Sequence, residues 1–254
     1  MTYSILSAVA SGGLVGFLLG LLGGGGSIIA TPLLLYVVGV AQPHVAIGTG
    51  ALAVSVNAFA NFASHAAKGH VWWRCAAVFS VLGAIGALGG SSLGKAMDGD
   101  RLVFFFAILM AVVGVLMMRP KKPVEVECRP VDLKMCLATA AVALAAGAAS
   151  GFFGIGGGFL IVPGLMLATG MPMINAVGTS LLSVGTFGLA TALNYASSGL
   201  VDWVLAAQFI GGVLGMLLAV RLSGYKNILN RVFAGLILVV SGYMLYQSWG
   251  ELFA

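Results

Sequence analysis

The stretch GLLGGGGSIIATPLL at residues 20–34 is written a second time, as GFFGIGGGFLIVPGL at residues 151–165. Pro32 then matches Pro163 at a spacing of 131 residues. Two further runs follow at a spacing of 130: Ala46-Ile-Gly-Thr-Gly against Ala176-Val-Gly-Thr-Ser, and Gly69-His-Val-Trp-Trp against Gly199-Leu-Val-Asp-Trp. Runs that match at a nearly constant offset mark a duplicated unit. Each glycine run also lies in a long window free of Asp, Glu, Lys and Arg, residues 1–67 and residues 135–201.

Windows of that kind need a solvent other than water. Of the 254 residues, 60% are hydrophobic and 7% are charged, against about 25% charged in a soluble domain. Mean hydropathy is +1.09. So few charges cannot cover a soluble protein, which excludes a soluble enzyme, a disordered chain and a disulfide scaffold. The 38 glycines follow no three-residue period, which excludes collagen. The chain reads as an all-α polytopic membrane protein. Its net charge of +5 reads as cytoplasmic loop cations and not as a nucleic-acid surface, since no basic stripe carries interleaved aromatics. Cys75, Cys128 and Cys136 lack metal-site spacing, so no metal site is expected. The N-terminus has no basic n-region and reads as a retained helix, not a signal peptide.

A span takes about 20 apolar residues. The first long window divides into 3–22, 26–40 and 45–65, and span-sized windows follow at 75–94 and 102–118. The second divides into 135–153, 158–170 and 176–196, followed by 203–220 and 232–250. Each half therefore has five segments, one of them a short, Gly-rich broken or re-entrant helix. The expected organisation is a first repeat at 1–118, a cytoplasmic linker at 119–134 and a second repeat at 135–254. An odd count inverts the second repeat relative to the first. With the linker inside, the positive-inside rule is obeyed. Lys68, Arg74, the linker cations, Arg221, Lys226 and Arg231 face the cytoplasm, leaving Lys95 and Arg101 outside.

Inverted repeats with interrupted segments in matching places point to a transporter's binding site. Gly23, Gly24, Gly25, Gly26 and Ser27 let the backbone turn sharply and approach a ligand. Pro32 suits the first turn of the helix that follows. The first N–H groups of such a helix lack internal partners and attract an anion. Gly154, Gly156, Gly157 and Gly158 offer the same from the other side of the membrane. The alternative for these glycines is close helix packing. Polar stripes extend the reading. Thr179, Ser183, Thr186 and Asn194 share roughly an 80° arc of one helix. Thr49, Asn57, Asn61 and His65 form a looser stripe on the matching one. Thr49, Thr179 and Ser180 sit at matched positions, and hydroxyls and amides suit an anion that must leave again. Interhelical hydrogen bonding is the alternative here. Gly83, Gly86, Gly211, Gly212 and Gly215 permit close helix approach, within the chain or in a homodimer. Trp72, Trp73 and Trp203 read as interfacial belt residues, and Met110, Met117 and Met118 as packing.

The paired Gly-rich motifs, each followed by Pro, and the Gly-Thr motifs resemble the TauE/SafE sulfite-exporter family of bacterial membrane proteins. The resemblance covers almost the whole chain. It implies transport of sulfite, sulfonates or related sulfur anions across the cytoplasmic (inner) membrane without a prosthetic group. One departure is local: Gly23–Gly26 is unbroken, whereas Ile155 interrupts the second copy.

No Asp or Glu lies inside a predicted span, although proton- and sodium-coupled carriers often use such carboxylates. Export of a small anion, driven by its gradient and by voltage, is therefore expected. A channel or carrier for another solute or a metal cation, and a membrane scaffold without flux, remain as other readings. There is no Walker A lysine motif, no His-Glu-x-x-His and no Gly-x-Ser-x-Gly, so no enzyme is expected.

Overall fold

A computed structural model gives the fold and describes residues 5–118, 133–210 and 226–253. Most of the expected linker lies outside the described residues, as do Cys128, Gly211, Gly212, Gly215 and Arg221. The described residues are helical and contain no strand. Helix α1 spans Ile5–Leu22. The chain continues as α2, a three-part segment with a 3-10 helix over Gly23–Ile29, one α turn over Ala30–Pro32 and a π helix over Leu33–Val37. There follow α3 (Pro43–Ala67), α4 (Trp73–Ala96), α5 (Gly99–Met118), α6 (Leu133–Phe153), α7 (Gly158–Thr169), α8 (Met173–Ala196), α9 (Trp203–Ile210) and α10 (Lys226–Phe253). Four of these are long and apolar enough to cross a membrane: Pro43–Ala67, Trp73–Ala96, Gly99–Leu116 and Met173–Ala196.

The inside-out distribution of polarity fits a lipid solvent. Val81, Ile85 and Leu93 on α4 are 62%, 57% and 68% exposed. Ser55, Asn57, Thr179, Ser180 and Ser183 are buried. In hydrocarbon the polar groups must find partners inside the protein.

At the centre, α3 and α8 run antiparallel. The Ser55 hydroxyl donates to the Gly185 carbonyl at 2.7 Å. A Cβ at Gly48 would lie 2.8 Å from Cβ of Tyr195, and one at Gly188 would lie 3.2 Å from Cβ of Ser55. Around this pair, α4 packs on α6 through facing small residues. A side chain at Gly90 would run into the Ala148 backbone, one at Gly151 into the Ala87 backbone, and one at Gly147 into Gly83. Gly86 faces the Leu144 backbone. Gly83 and Gly86 thus serve contacts within the chain. The α5–α10 pair closes on Phe106, Met110 and Val113 against Phe233, Ile237 and Met244. Ser241 donates to the Ala107 carbonyl at 2.9 Å in the same seam. Met110 is fully buried there, whereas Met118, also expected to pack, is 61% exposed.

The matched sequence positions make matched contacts. Helices α3 and α8 end on Gly69 and Gly199, with φ of +72° and +71°. His70 N–H returns to the His65 carbonyl and Leu200 N–H to the Tyr195 carbonyl, at 3.1 and 3.0 Å. These are the 6→1 bonds of a glycine helix stop. Beyond them, Asp202 N–H donates to Thr49 Oγ1 at 3.0 Å. Trp72 N–H donates to Thr179 Oγ1 at 3.2 Å. Each threonine therefore closes the loop that follows the helix of the other.

One expectation is corrected. Pro32 does not open a helix: it closes the α turn Ala30–Pro32, inside a helical path that begins at Gly23. A proline there removes an N–H and crowds the preceding turn. The wider π turns follow at once, with Val38 N–H reaching back to the Leu33 carbonyl at 2.9 Å. Nor is α2 a straight continuation of α1. A Cβ on Gly26 would strike the backbone of Leu18 and Leu19. In a straight helix eight residues span about 12 Å. The chain therefore doubles back at the glycines.

The α4–α6 seam sets a direct test. Gly90→Leu is expected to abolish the monodisperse peak of the detergent-solubilised protein in size-exclusion chromatography. Its backbone neighbour cannot move aside, so the cost exceeds the usual overpacking loss of about 1–3 kcal/mol. Gly89→Leu, where a side chain meets nothing within 4 Å, leaves the peak unchanged.

Candidate functional site

Helix α6 ends at Phe153, and four residues turn the chain into α7. Gly154, Gly156 and Gly157 have φ of +66°, +67° and +64°. Each lies in the left-handed region, where a side chain costs roughly 1–2 kcal/mol, so glycine is required at all three. The Ile155 N–H donates back to the Ser150 carbonyl at 3.2 Å, so Gly154 stops α6 as Gly69 and Gly199 stop α3 and α8, and Gly156 and Gly157 carry the chain on into α7. Gly157 caps α7, with no side chain bonded there. Its carbonyl accepts from Leu160 and Ile161 at 2.9 and 3.1 Å. The N–H groups at the very start of α7 have no partner within the helix by position. The helix dipole adds positive potential at the same point.

The turn sits at the middle of the molecule. A Cβ on Gly156 would lie 3.2 Å from Val54 Cγ1 and 3.1 Å from Val184 Cγ1. Val54 and Val184 are matched residues of α3 and α8, both fully buried. Gly154 abuts Ile47 of α3. Gly157 faces Ser150 of α6, whose Oγ would lie 3.0 Å from a Cβ placed there. Ser150 is 0% exposed and its hydroxyl has no hydrogen-bond partner. A buried orphan of this kind costs about 1–3 kcal/mol unless something else satisfies it. Thr31 Oγ1 of α2 and Asn57 Nδ2 of α3 are buried and unpartnered as well.

The first glycine copy is built differently. Gly23, Gly24, Gly25 and Gly26 form 3-10 turns with Ser27, and Gly26 and Ser27 are buried. This segment packs against α7 and α8. Only the second copy has the left-handed turn and a discrete helix start, at Gly158. The unbroken glycines of the first copy stay within helical geometry, and Ile155 stands in the copy that does not.

Most of the expected polar stripe is bonded within the protein. Thr49 and Thr179 accept the loop N–H groups already described. Ser183 and Ser80 of α4 share a hydrogen bond of 3.1 Å. The Ser180 hydroxyl donates to the Val177 carbonyl at 2.8 Å, and Thr186 to the Ser183 carbonyl at 3.0 Å. Asn61 Nδ2 donates to the Asn57 carbonyl at 2.9 Å. Asn194 Nδ2 donates to Ser91 Oγ at 2.6 Å and Ser92 Oγ at 2.9 Å. Of the expected stripe residues, Asn57 is the one with an unpartnered buried amide. Sequence reading passed over Thr31, Ser150, Thr191 and Tyr195. Ser150 had a usable signal in its place just before the second glycine run. Thr191 lies two turns beyond Ser183 but outside the arc of the stripe, so periodicity did not point to it.

Comparison with known proteins places this architecture. Residues 8–244 match the family described as sulfite exporter TauE/SafE. The chain is similar to a probable membrane transporter protein of Xylella fastidiosa, 58% identical over 99% of this chain and 98% of that protein. It is also similar to the probable membrane transporter protein YdhB of Bacillus subtilis, 26% identical over 79% of this chain and 82% of that protein. A probable membrane transporter protein of Haemophilus influenzae is 24% identical over 84% of this chain and 83% of that protein. No solved structure matches the chain.

Two substitutions separate site from scaffold. Ser150→Ala removes an orphaned hydroxyl and is expected to leave the melting temperature in detergent unchanged or slightly raised. Gly157→Ala puts a Cβ into the left-handed region and against Ser150, and lowers it by several degrees. A thermal-shift assay on both variants checks the pair.

Proposed function

We propose that this chain, which belongs to the sulfite exporter TauE/SafE family of membrane transporters, carries a small sulfur oxyanion outward across the bacterial cytoplasmic membrane. Sulfite, thiosulfate and sulfonates have the required chemistry: compact, anionic and rich in acceptor oxygens. The observation that carries the reading is the left-handed turn of Gly154, Gly156 and Gly157 at the start of α7. Beside it stands the unpartnered hydroxyl of buried Ser150. The N–H groups at the start of α7 are donors and the hydroxyl can donate, which favours an acceptor as ligand. Thr31 Oγ1 and Asn57 Nδ2 extend the donor set. The same geometry disfavours a metal cargo, which needs carboxylates, imidazoles or thiolates. Among the described residues no group of three His, Cys, Asp or Glu could hold one.

Two inverted repeats frame the route in this reading. The reciprocal bonds of Thr49 with Asp202 and Thr179 with Trp72 support it. So does the central Ser55–Gly185 contact, which joins matched residues 130 positions apart. Both are what a two-fold relation in the membrane plane produces. The driving force follows from charge. Asp98, Asp100 and Asp202 lie at helix ends and not within the long apolar stretches. An inside-negative membrane drives an anion outward with about 2.3 kcal/mol per charge per 100 mV, so export needs no coupling ion.

The test is sulfite flux in proteoliposomes with voltage clamped by potassium and valinomycin. Flux is expected to follow the anion gradient and the voltage, and to fall at least tenfold in Gly157→Trp reconstituted to equal density. The reading fails if the parent protein moves neither sulfite, thiosulfate nor a sulfonate. It fails equally if Gly157→Trp transports normally.

A further inference from the structure

One end of the α3–α8 pair holds a polar cluster that the glycine turn does not use. Lys95, at the end of α4, reaches across to α8. Its Nζ donates to the Asn194 carbonyl and to Asn194 Oδ1, both at 2.8 Å, and to Ser198 Oγ at 2.9 Å. None of these acceptors is a carboxylate, so the ammonium keeps its charge unneutralised. It stands 5.9 Å from the centre of the Tyr195 ring. Tyr195 is 0% exposed, yet its hydroxyl has no partner. One turn earlier on α8, Thr191 is 1% exposed and its hydroxyl is also unpartnered. His44 opens α3 opposite them, its ring 6.1 Å from that of Tyr195. Its Nε2 lies 3.2 Å from the Met97 carbonyl, which only a protonated nitrogen can satisfy. The buried Nδ1 then has no partner in the protein.

Three buried, unsatisfied polar groups under one uncompensated cation are unusual in a protein interior. A cap on the α8 carbonyls explains Lys95 by itself. It explains neither the Tyr195 hydroxyl nor that of Thr191. The cluster is also continuous with the glycine turn. Tyr195 packs in one apolar cluster with Ile47, and Ile47 touches Gly154. We propose that Tyr195 and Thr191, with His44 beside them and under the charge of Lys95, form a second oxyanion-binding station at this mouth, from which the anion passes to or from the glycine turn. The station rests on the transport reading for its ligand class and adds a second site and its residues.

Isothermal titration of the purified, detergent-solubilised protein with sulfite tests it directly. The parent is expected to bind two sulfite ions. Tyr195→Phe and Thr191→Val each remove one unpartnered hydroxyl and no protein hydrogen bond. Each is expected to weaken one of the two sites about tenfold, as loss of a hydrogen bond to a charged ligand does, with an unchanged melting temperature. Gly157→Trp removes the other site. Lys95→Gln weakens the same site as Tyr195→Phe and flattens its dependence on salt concentration. Parent-like titrations for both Tyr195→Phe and Thr191→Val overturn the station, while loss of a site in Gly157→Trp leaves the transport reading standing. A parent that binds no sulfite, thiosulfate or sulfonate sinks both together.

Discussion

Hydrocarbon offers no hydrogen-bond partner, so each polar group carried into the membrane must be answered by another part of the chain. The α3–α8 crossing is where that constraint is heaviest, because both helices leave regular geometry at their ends. The loop after each helix exposes backbone N–H groups, and the threonine of the opposite helix receives one of them. At the crossing itself the Ser55 hydroxyl donates to the Gly185 carbonyl. Glycine at positions 48 and 188 lets the two backbones approach closely enough for these bonds to form. The α4–α6 seam and the α5–α10 pair then build outward from a centre already fixed. Their outer faces need only be apolar, and they are.

The glycine runs show how the same composition gives two different structures. Four consecutive glycines in the first copy remain in helical turns, because nothing forces them out and the fold-back against Leu18 and Leu19 requires only their smallness. In the second copy the chain must leave α6, pass between Val54 and Val184 and start α7 within four residues. Left-handed backbone at Gly154, Gly156 and Gly157 achieves this. The two copies are therefore not equivalent in backbone, although they match in sequence.

Much of this was written in the sequence. The offset of 130 residues places Thr49 against Thr179 and Gly69 against Gly199, and the limits of α1 to α8 fall within a few residues of the expected segments, whereas α10 starts six residues before its own. The two glycine runs fall where the chain folds back at α2 and where α6 passes into α7. What could not be read was which polar residues are already engaged. Ser183 and Asn194 lie on one helical face, as the periodicity says, but that face meets α4, where Ser80, Ser91 and Ser92 occupy them. Ser150 and Tyr195 matter for the opposite reason: their neighbours supply no partner. Periodicity reports direction from a helix axis and is silent on what stands there. The position of Pro32 within α2 was hidden likewise, since a fold-back and a helix start share the same residues.

The bonds at the crossing have a consequence for how the protein is made. Ser55 finds its partner 130 residues further along the chain, and Thr49 finds its own 153 residues on. At ribosomal speed that is a delay of roughly ten seconds or more. During it the first half has been synthesised and the Thr49 and Ser55 hydroxyls of α3 still lack these partners. The half-made chain is thus a poor lipid-soluble object, and its polar helix has to shelter in the insertion machinery or against its own neighbours until α8 arrives. Errors in the second half therefore strand the first, and the two halves are one unit of quality control.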